Sequence, residues 1–562
     1  MTTQPSPGSP SGSTGDSNPS PSRRPTARWA IPLVLALLAV VVVVVLVAGG
    51  SSTSEDQAKN DPAGATSTAT TPDTTEAEPA TPKADFTGSG YPNGDLRNMR
   101  RTGGPITKKT VKQLENAWSR PIDGAGNYGS YAATPVIDKG VIYSQDLASN
   151  VEAIDLKTGE TLWRTEYNLP SAGPNGLVVG DGRVYAATPT AAFALDQATG
   201  EEQWSVTLTK NEADGIDMAP GFHDGLVYVS TVPVSAASPG YSDTHAGTLY
   251  ALDAKTGKER WNFNTIKAGG KGKKDAQSAG GGLWYTPAFD DDGGMYFGVG
   301  NPSPWPGTAD EPYGSGRPGP NLYTNSLVKL DAKTGKLRWY YQETPHDIYD
   351  WDLQGPPILV SQGGRKLAII GGKSGYVIAA DQKTGDVVWR KPVGRHNGHT
   401  KDGLLAMRGK EEKLKTNVEI YPGILGGVIS PMASDGKRVY AAVVNNPATL
   451  VDGATLQGTP DMEGELVALD VATGKRAWRK ELPSVSFGAT SVTNDIVFVT
   501  TMDGNVLAYD TKTGRKVWEK SLGVGTNAGI VVKGGTLVAP AGMAQGAGQS
   551  PQIVAFRLPG KR

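Results

Sequence analysis

The stretch Asp155-Leu156-Lys157-Thr158-Gly159-Glu160-Thr161-Leu162-Trp163 sets Asp, Thr-Gly and Trp at a fixed spacing. The spacing returns at Asp196-Thr199-Gly200-Trp204, Asp253-Thr256-Gly257-Trp261 and Asp331-Thr334-Gly335-Trp339. It returns again at Asp381-Thr384-Gly385-Trp389, Asp470-Thr473-Gly474-Trp478 and Asp510-Thr513-Gly514-Trp518. Seven copies with constant internal spacing and unequal gaps predict a repeat fold whose connecting loops differ in length. Each copy reads as a hairpin. An alternating apolar run precedes the Asp, as in Gly247-Thr248-Leu249-Tyr250-Ala251-Leu252, and a strand ending in Trp follows the Gly. Asp can accept backbone N–H groups two residues on, and Gly supplies the positive φ that closes the turn.

Further strand pairs lie upstream of many copies, for example Gly225-Leu226-Val227-Tyr228-Val229 and Asn494-Asp495-Ile496-Val497-Phe498-Val499. The unit is therefore a four-stranded antiparallel sheet with two faces to bury. Radial stacking buries both and leaves only short edges, which predicts an all-β chain folded as a β-propeller. A Trp at one place per blade serves as the spacer between neighbouring sheets and can hand its N–H to an adjacent turn. The last strands, Gly529-Ile530-Val531-Val532, Thr536-Leu537-Val538-Ala539 and Gln552-Ile553-Val554-Ala555-Phe556, have no turn and no Trp after them. Far upstream, Asn116-Ala117-Trp118-Ser119 reads as the missing outer strand. Joining the two ends gives eight blades and removes the open edge.

The chain has 562 residues and a formal net charge of −1, with no basic stripe, which argues against nucleic acid as a partner. It has no Cys, so neither a disulfide, a Cys-x-x-Cys-His haem attachment nor a thiolate zinc site exists. His223, His245, His346, His396 and His399 are too scattered to suggest a metal site of their own. Residues 29–48 are almost wholly apolar and long enough to span a bilayer as a helix. Arg23, Arg24 and Arg28 precede them and the first charge after them is Glu55, so the N-terminus is expected inside and the rest outside the cell. A cleaved signal peptide is the rival reading, with Ala48-Gly49-Gly50 as a weak site. The expected organisation is a disordered cytoplasmic tail at 1–28, a signal-anchor helix at 29–48, a disordered Ser/Thr/Pro/Ala linker at 49–94 and the propeller at 95–562.

One region breaks the repeat. It contains Gly280-Gly281-Gly282-Leu283-Trp284-Tyr285-Thr286-Pro287, then Gly298-Val299-Gly300-Asn301-Pro302-Ser303-Pro304-Trp305 and a Gly/Pro loop to residue 320. After Trp339 follows Thr344-Pro345-His346-Asp347-Ile348-Tyr349-Asp350-Trp351-Asp352. With these motifs, and with Val111-Lys112-Gln113-Leu114-Glu115-Asn116-Ala117-Trp118 near its start, the chain resembles the pyrroloquinoline quinone (PQQ)-dependent alcohol dehydrogenases, eight-bladed quinoproteins. The likeness runs from about Asp95 to the end. It implies PQQ and Ca²⁺ as cofactors, with Asn301 as a metal-coordinating carboxamide and Asp350 as catalytic base and metal ligand. It implies Trp284 as the floor under the quinone and Lys373, in Gly371-Gly372-Lys373-Ser374-Gly375, as the cation facing the quinone oxygens. Alcohol oxidation removes a proton and a hydride, and no side chain accepts hydride, so an organic cofactor is needed. A planar quinone stacks on an aromatic face, an oxygen-ligated cation polarises its carbonyl, and an ionised Asp takes the proton. His346 reads as structural, holding the loop from Pro345 to Asp350.

The sequence also departs from that family. It lacks the vicinal Cys pair that caps the quinone. No Glu lies between Thr231 and Gly247, where the acidic metal ligand falls, and Asp243 is the substitute available. Pro174-Asn175-Gly176 stands for Asn-Arg-Gly, Val428-Ile429 for Asn-Trp, and Ala132 near a first-blade Glu. Two readings of function follow. The first is a membrane-anchored quinoprotein dehydrogenase outside the cell, oxidising a small alcohol and passing electrons to a separate cytochrome or quinone. The second is a non-catalytic propeller that binds protein or cell envelope through its insertions, 304–320 and 401–421. A pocket altered for another ligand, such as a sugar or peptide, is a third.

Overall fold

The computed structural model describes residues 97–560 apart from 125, 127, 172, 211–213, 234–246, 267–278 and 545–547. The expected tail, anchor helix and linker all lie outside the described residues, as do Asp243 and His245. Among the described residues no helix is long and apolar enough to cross a membrane.

The fold is all-β and propeller-like. Among the described residues, seven four-stranded sheets and one five-stranded sheet follow one another. The first runs Val136–Asp138, Val141–Gln145, Val151–Asp155 and Thr161–Thr165, each strand antiparallel to the next. The fourth comprises Ala288–Phe289, Gly294–Gly298, Ser326–Asp331 and Leu337–Gln342, and the fifth Ile358–Gln362, Arg365–Gly371, Tyr376–Asp381 and Val387–Pro392. The last sheet takes three strands from the C-terminal part, Val531–Lys533, Thr536–Ala541 and Gln552–Arg557, and its outer strand, Glu115–Pro121, from the N-terminal part. Central strands are buried on both faces, and outer strands alternate exposed and half-buried residues.

The repeated turn acts as the sequence suggests. In the first copy Asp155 Oδ1 accepts the N–H of Lys157 and of Thr158, at 2.8 and 2.7 Å. A register shift just before the strand's end then sets the Trp against the next sheet. Trp163 Nε1 donates to Gln197 O at 3.1 Å and its ring covers Gly200, at φ 76°, where a Cβ would lie 2.5 Å from the indole. Trp204, Trp261, Trp339, Trp389 and Trp478 repeat the contact on Ala254, Ala332, Gln382, Val471 and Thr511. Trp118, on the N-terminal strand of the last sheet, donates to Leu156 of the first sheet at 3.2 Å and covers Gly159. Trp518 packs edge-on against Phe556 of the last sheet.

The residues before the outer strand bind the inner ends of several sheets. Arg97 O, Met99 O and Arg100 O accept N–H groups of Leu359, Ser434 and Val492, and Arg101–Thr102 pairs parallel with Ser491–Thr493. Lys108 then bonds Asp510 at 2.8 Å.

Candidate active site

Connections at the same end of the sheets bring together residues far apart in sequence. Trp284 lies before the inner strand of the fourth sheet, Asn301 after its second strand and Asp350 before the inner strand of the fifth. Lys373 lies in the turn that follows the fifth sheet's second strand. Lys373 Nζ lies 2.8 Å from Asp350 Oδ2 and 2.6 Å from Asp352 Oδ2. Asp352 Oδ1 accepts the Asn301 N–H at 2.7 Å, and Asp352 O accepts the Lys373 N–H at 2.9 Å. Gly300 ties Trp284 in: a Cβ there would stand 3.1 Å from Asp352 Oδ1 and 3.2 Å from Trp284 Nε1. The four residues singled out in the sequence therefore converge, and Asp352 is the hub that the sequence reading left without a role.

Asp350 is 7% exposed and holds φ 62°, the left-handed region that Asp and Asn tolerate better than most residues. Its loop is clamped on both sides. Asp347, fully buried, accepts the N–H of Tyr349 and of Trp351, at 2.9 and 2.6 Å, which turns the chain so that Asp350 faces Lys373. His346 is the staple expected of it: its two ring nitrogens lie 3.0 Å from Gly319 O and 2.9 Å from Tyr313 O. Burial, and then Arg317, push the His346 pKa down.

The two insertions expected as display loops are built into this clamp. In 304–320, Arg317 is buried and donates to Pro304 O, Asn321 Oδ1 and Asp347 O. Burial pushes its pKa down to about 10. From 401–421, Asp402 accepts the Tyr349 hydroxyl at 2.7 Å, while Trp351 Nε1 donates to Pro422 O just beyond. Ile348, Tyr349 and Trp351 form an apolar cluster with Ile420 and Leu450, flanked by Tyr313 and Leu414.

Burial pushes the Asp350 carboxyl well above its ordinary value, and the Asp352 charge adds to this while Lys373 opposes it. Burial works against the Lys373 ammonium too, but Asp350 and Asp352 outweigh it and hold the group protonated. The ammonium takes the place between two carboxylates that a divalent cation would need. Among the described residues no group of three or more His, Asp or Glu side chains could hold a metal ion. Among the described residues the donors are therefore too few for Ca²⁺, with Asp243, the substitute acidic ligand, lying outside them. On one side the residue present for a flat cofactor is Trp284, half-buried, with its Nε1 beside Gly300, where a side chain would also meet Asp352. On the other side Asn175, in place of an Arg, spends its amide N–H on Asp146 O at 2.7 Å and offers no cation.

A family model described as "Glucose/ethanol/alcohol dehydrogenase, beta-propeller domain" matches residues 101–177 and 224–391. A second, described as "Outer membrane protein assembly factor BamB", matches residues 147–285 and 413–560. The second match spans just over half of the chain, which therefore belongs to the propeller family that this model describes, and the first marks a likeness to the PQQ-dependent alcohol dehydrogenases. It is 29% identical over 464 residues to a quinohemoprotein alcohol dehydrogenase of Comamonas testosteroni, covering 70% of this chain and 63% of that protein. It is 28% identical over 465 residues to a quinoprotein alcohol dehydrogenase of Pseudomonas putida, covering 70% and 75%. The chain spans less than two thirds of the length of the first relatives it matches, 63%, 43% and 42% of them. The crystal structure of the Comamonas testosteroni enzyme superposes with a TM-score of 0.71 at 25% identity, covering 84% of this chain and 80% of that one. A europium-containing methanol dehydrogenase shares the fold, with a TM-score of 0.68 at 21% identity over 84% of this chain and 98% of that one.

Proposed function

We propose that this quinoprotein-like propeller oxidises small alcohols at the Asp350–Lys373–Asp352 centre, with PQQ on the Trp284 face. The observation that carries the proposal is Asp350 itself. It is a buried carboxylate at a strained φ, held against an ammonium by a clamp made from two insertions that a plain propeller would not need. Bound PQQ would supply the hydride acceptor that the side chains lack. Asp350 receives the hydroxyl proton, and its raised pKa brings it closer to the pH at which a base both accepts and releases protons. Lys373 balances negative charge that develops at the centre, and Asp352 fixes Lys373 and Asn301 so that neither must reorganise.

In the same reading the eight sheets are the blades of one closed ring within residues 95–562. A helix at 29–48 anchors the ring outside the cell, and a separate cytochrome or quinone takes the electrons. The test is dye reduction by the full chain supplied with PQQ and a short alcohol. Alcohol-dependent reduction that Asp350→Ala abolishes supports the proposal, and its absence with PQQ demonstrably bound rejects it. The match to the assembly-factor model and the missing cofactor-binding Arg favour a second reading, a non-catalytic envelope scaffold. That reading expects no PQQ binding and no effect of Asp350→Ala on partner capture.

A further inference from the structure

We infer that Asn98, in the segment that precedes the first sheet, is a positioning residue of the site: its amide holds the stretch that carries Trp284. The inference rests on the reading of Trp284 as the face for a flat cofactor and adds a residue that works through it.

The segment from Arg97 to Thr102 meets several sheets at once. Its carbonyls take N–H groups from the inner strands of the fifth, sixth and seventh sheets, at Leu359, Ser434 and Val492. The Arg100 guanidinium lies 3.4 Å from Thr134 Oγ1, just before the inner strand of the first sheet. Asn98 Nδ2 donates to Thr286 O at 3.1 Å, just before the inner strand of the fourth, and Arg97 bonds Asp291 in the turn that follows that strand. One short segment reaches so many sheets only where their inner strands converge, and Asn98, Met99 and Arg100 are accordingly buried. The connections that carry the site lead into these same strands, so the segment and the site are neighbours.

Trp284 sits between two anchors. Upstream, the Gly282 N–H donates to Thr265 Oγ1 at 2.8 Å and the Leu283 N–H to Ser230 Oγ at 3.1 Å. Downstream, Thr286 Oγ1 donates to Ala219 O at 2.8 Å, and Thr286 O accepts the Asn98 amide. Thr286 is 1% exposed, so its carbonyl needs a donor from the protein, and among the described residues Asn98 is that donor. Asn98 holds φ 56°, a conformation that Asn tolerates better than most residues, so one side chain suits both the turn and the bond. Removing the amide leaves a buried acceptor unpaired and loosens the downstream anchor. A flat ring serves as a stacking face only when its support holds it to within about 0.5 Å.

The test uses Asn98→Gly, which keeps the backbone unstrained and removes the amide, and Asn98→Asp, which sets a carboxylate oxygen against the Thr286 carbonyl. Lys108→Met is the control: it loosens the nearby fastening to Asp510 without touching the Trp284 stretch. Hydrogen exchange of residues 282–286 is measured by mass spectrometry on each full chain without PQQ, and PQQ binding by calorimetry. Both Asn98 variants are expected to exchange severalfold faster at 282–286 and to bind PQQ about tenfold or more weakly, while the control matches wild type in both. Unchanged exchange at 282–286 overturns the inference whatever PQQ does. Faster exchange with undiminished PQQ affinity overturns it too, and so does an equal loss of affinity in Lys108→Met. Faster exchange in a protein whose wild type binds no PQQ upholds the hold of Asn98 on the Trp284 stretch and removes the cofactor reading. Wild-type PQQ binding that survives in both Asn98 variants does the reverse.

Discussion

Asp350 holds a backbone conformation that costs a typical residue roughly 1–2 kcal/mol. Asn accepts that conformation but cannot take a proton. Asp350→Asn is therefore expected to leave the melting temperature nearly unchanged while lowering alcohol-dependent kcat by about 10²–10⁴. Asp350→Val adds a β-branched side chain at positive φ and should also lower the melting temperature. Steady-state kinetics and calorimetry on the two variants separate chemistry from strain. Gly300→Ala should weaken cofactor binding, because its methyl group would stand 3.1–3.2 Å from Asp352 and Trp284. At this scale the sequence was informative where a motif carried the information. Asn301, Asp350 and Trp284 each stand in a short stretch that breaks the repeat, Lys373 stands in a turn, and the four meet. Asp352 needed a further step: the turn capped by Asp347 brings both Asp350 and Asp352 to Lys373 while Trp351 turns away to Pro422.

The turn-and-Trp element is where local sequence and tertiary structure agree most closely. Asp caps the turn, Gly opens it and the previous sheet's Trp covers the Gly, so one short motif fixes both a hairpin and an interface. Trp163→Ala should destabilise the protein by about 3–5 kcal/mol. Gly200→Ala should also be costly, since its Cβ would lie 2.5 Å from the Trp163 ring at φ 76°. The insertions behave in the opposite way. The scaffold reading makes them binding loops, whereas the structure folds them around Arg317, Asp347 and Tyr349 because a buried guanidinium and a buried carboxylate both require partners. Arg317→Met should leave the carbonyls of Pro304 and Asp347 without donors, lowering stability by about 1–3 kcal/mol and slowing turnover through a loosened Asp350. Chemical denaturation and kinetics on the same variant check both effects.

The whole molecule depends on joining its ends. The strand Glu115–Pro121 completes the last sheet and carries Trp118 to the first, and Lys108 fastens the preceding turn to Asp510. Burial works against the Asp510 charge, but Lys108 and the Thr513 N–H outweigh it and push the pKa to about 2, below the ordinary 3.8. A depressed carboxylate stabilises fully above its ordinary value, and that contribution is lost as pH falls from about 4 through about 2. Lys108→Met should therefore lower the melting temperature at neutral pH, with the difference from wild type fading below about pH 3. The missing eighth turn made this closure readable, because a last sheet without its Trp must borrow one.

The central claim is that Trp284, Lys373 and Asp350 form one site for a flat quinone and an alcohol. Its most direct test is a crystal structure of the full chain soaked with PQQ. The account predicts planar density stacked on Trp284, with a quinone oxygen within hydrogen-bond distance of Lys373 Nζ and Asp350 facing open space above it. Saturating PQQ that leaves the Trp284 face bare, or that settles elsewhere on the molecule, would contradict the account.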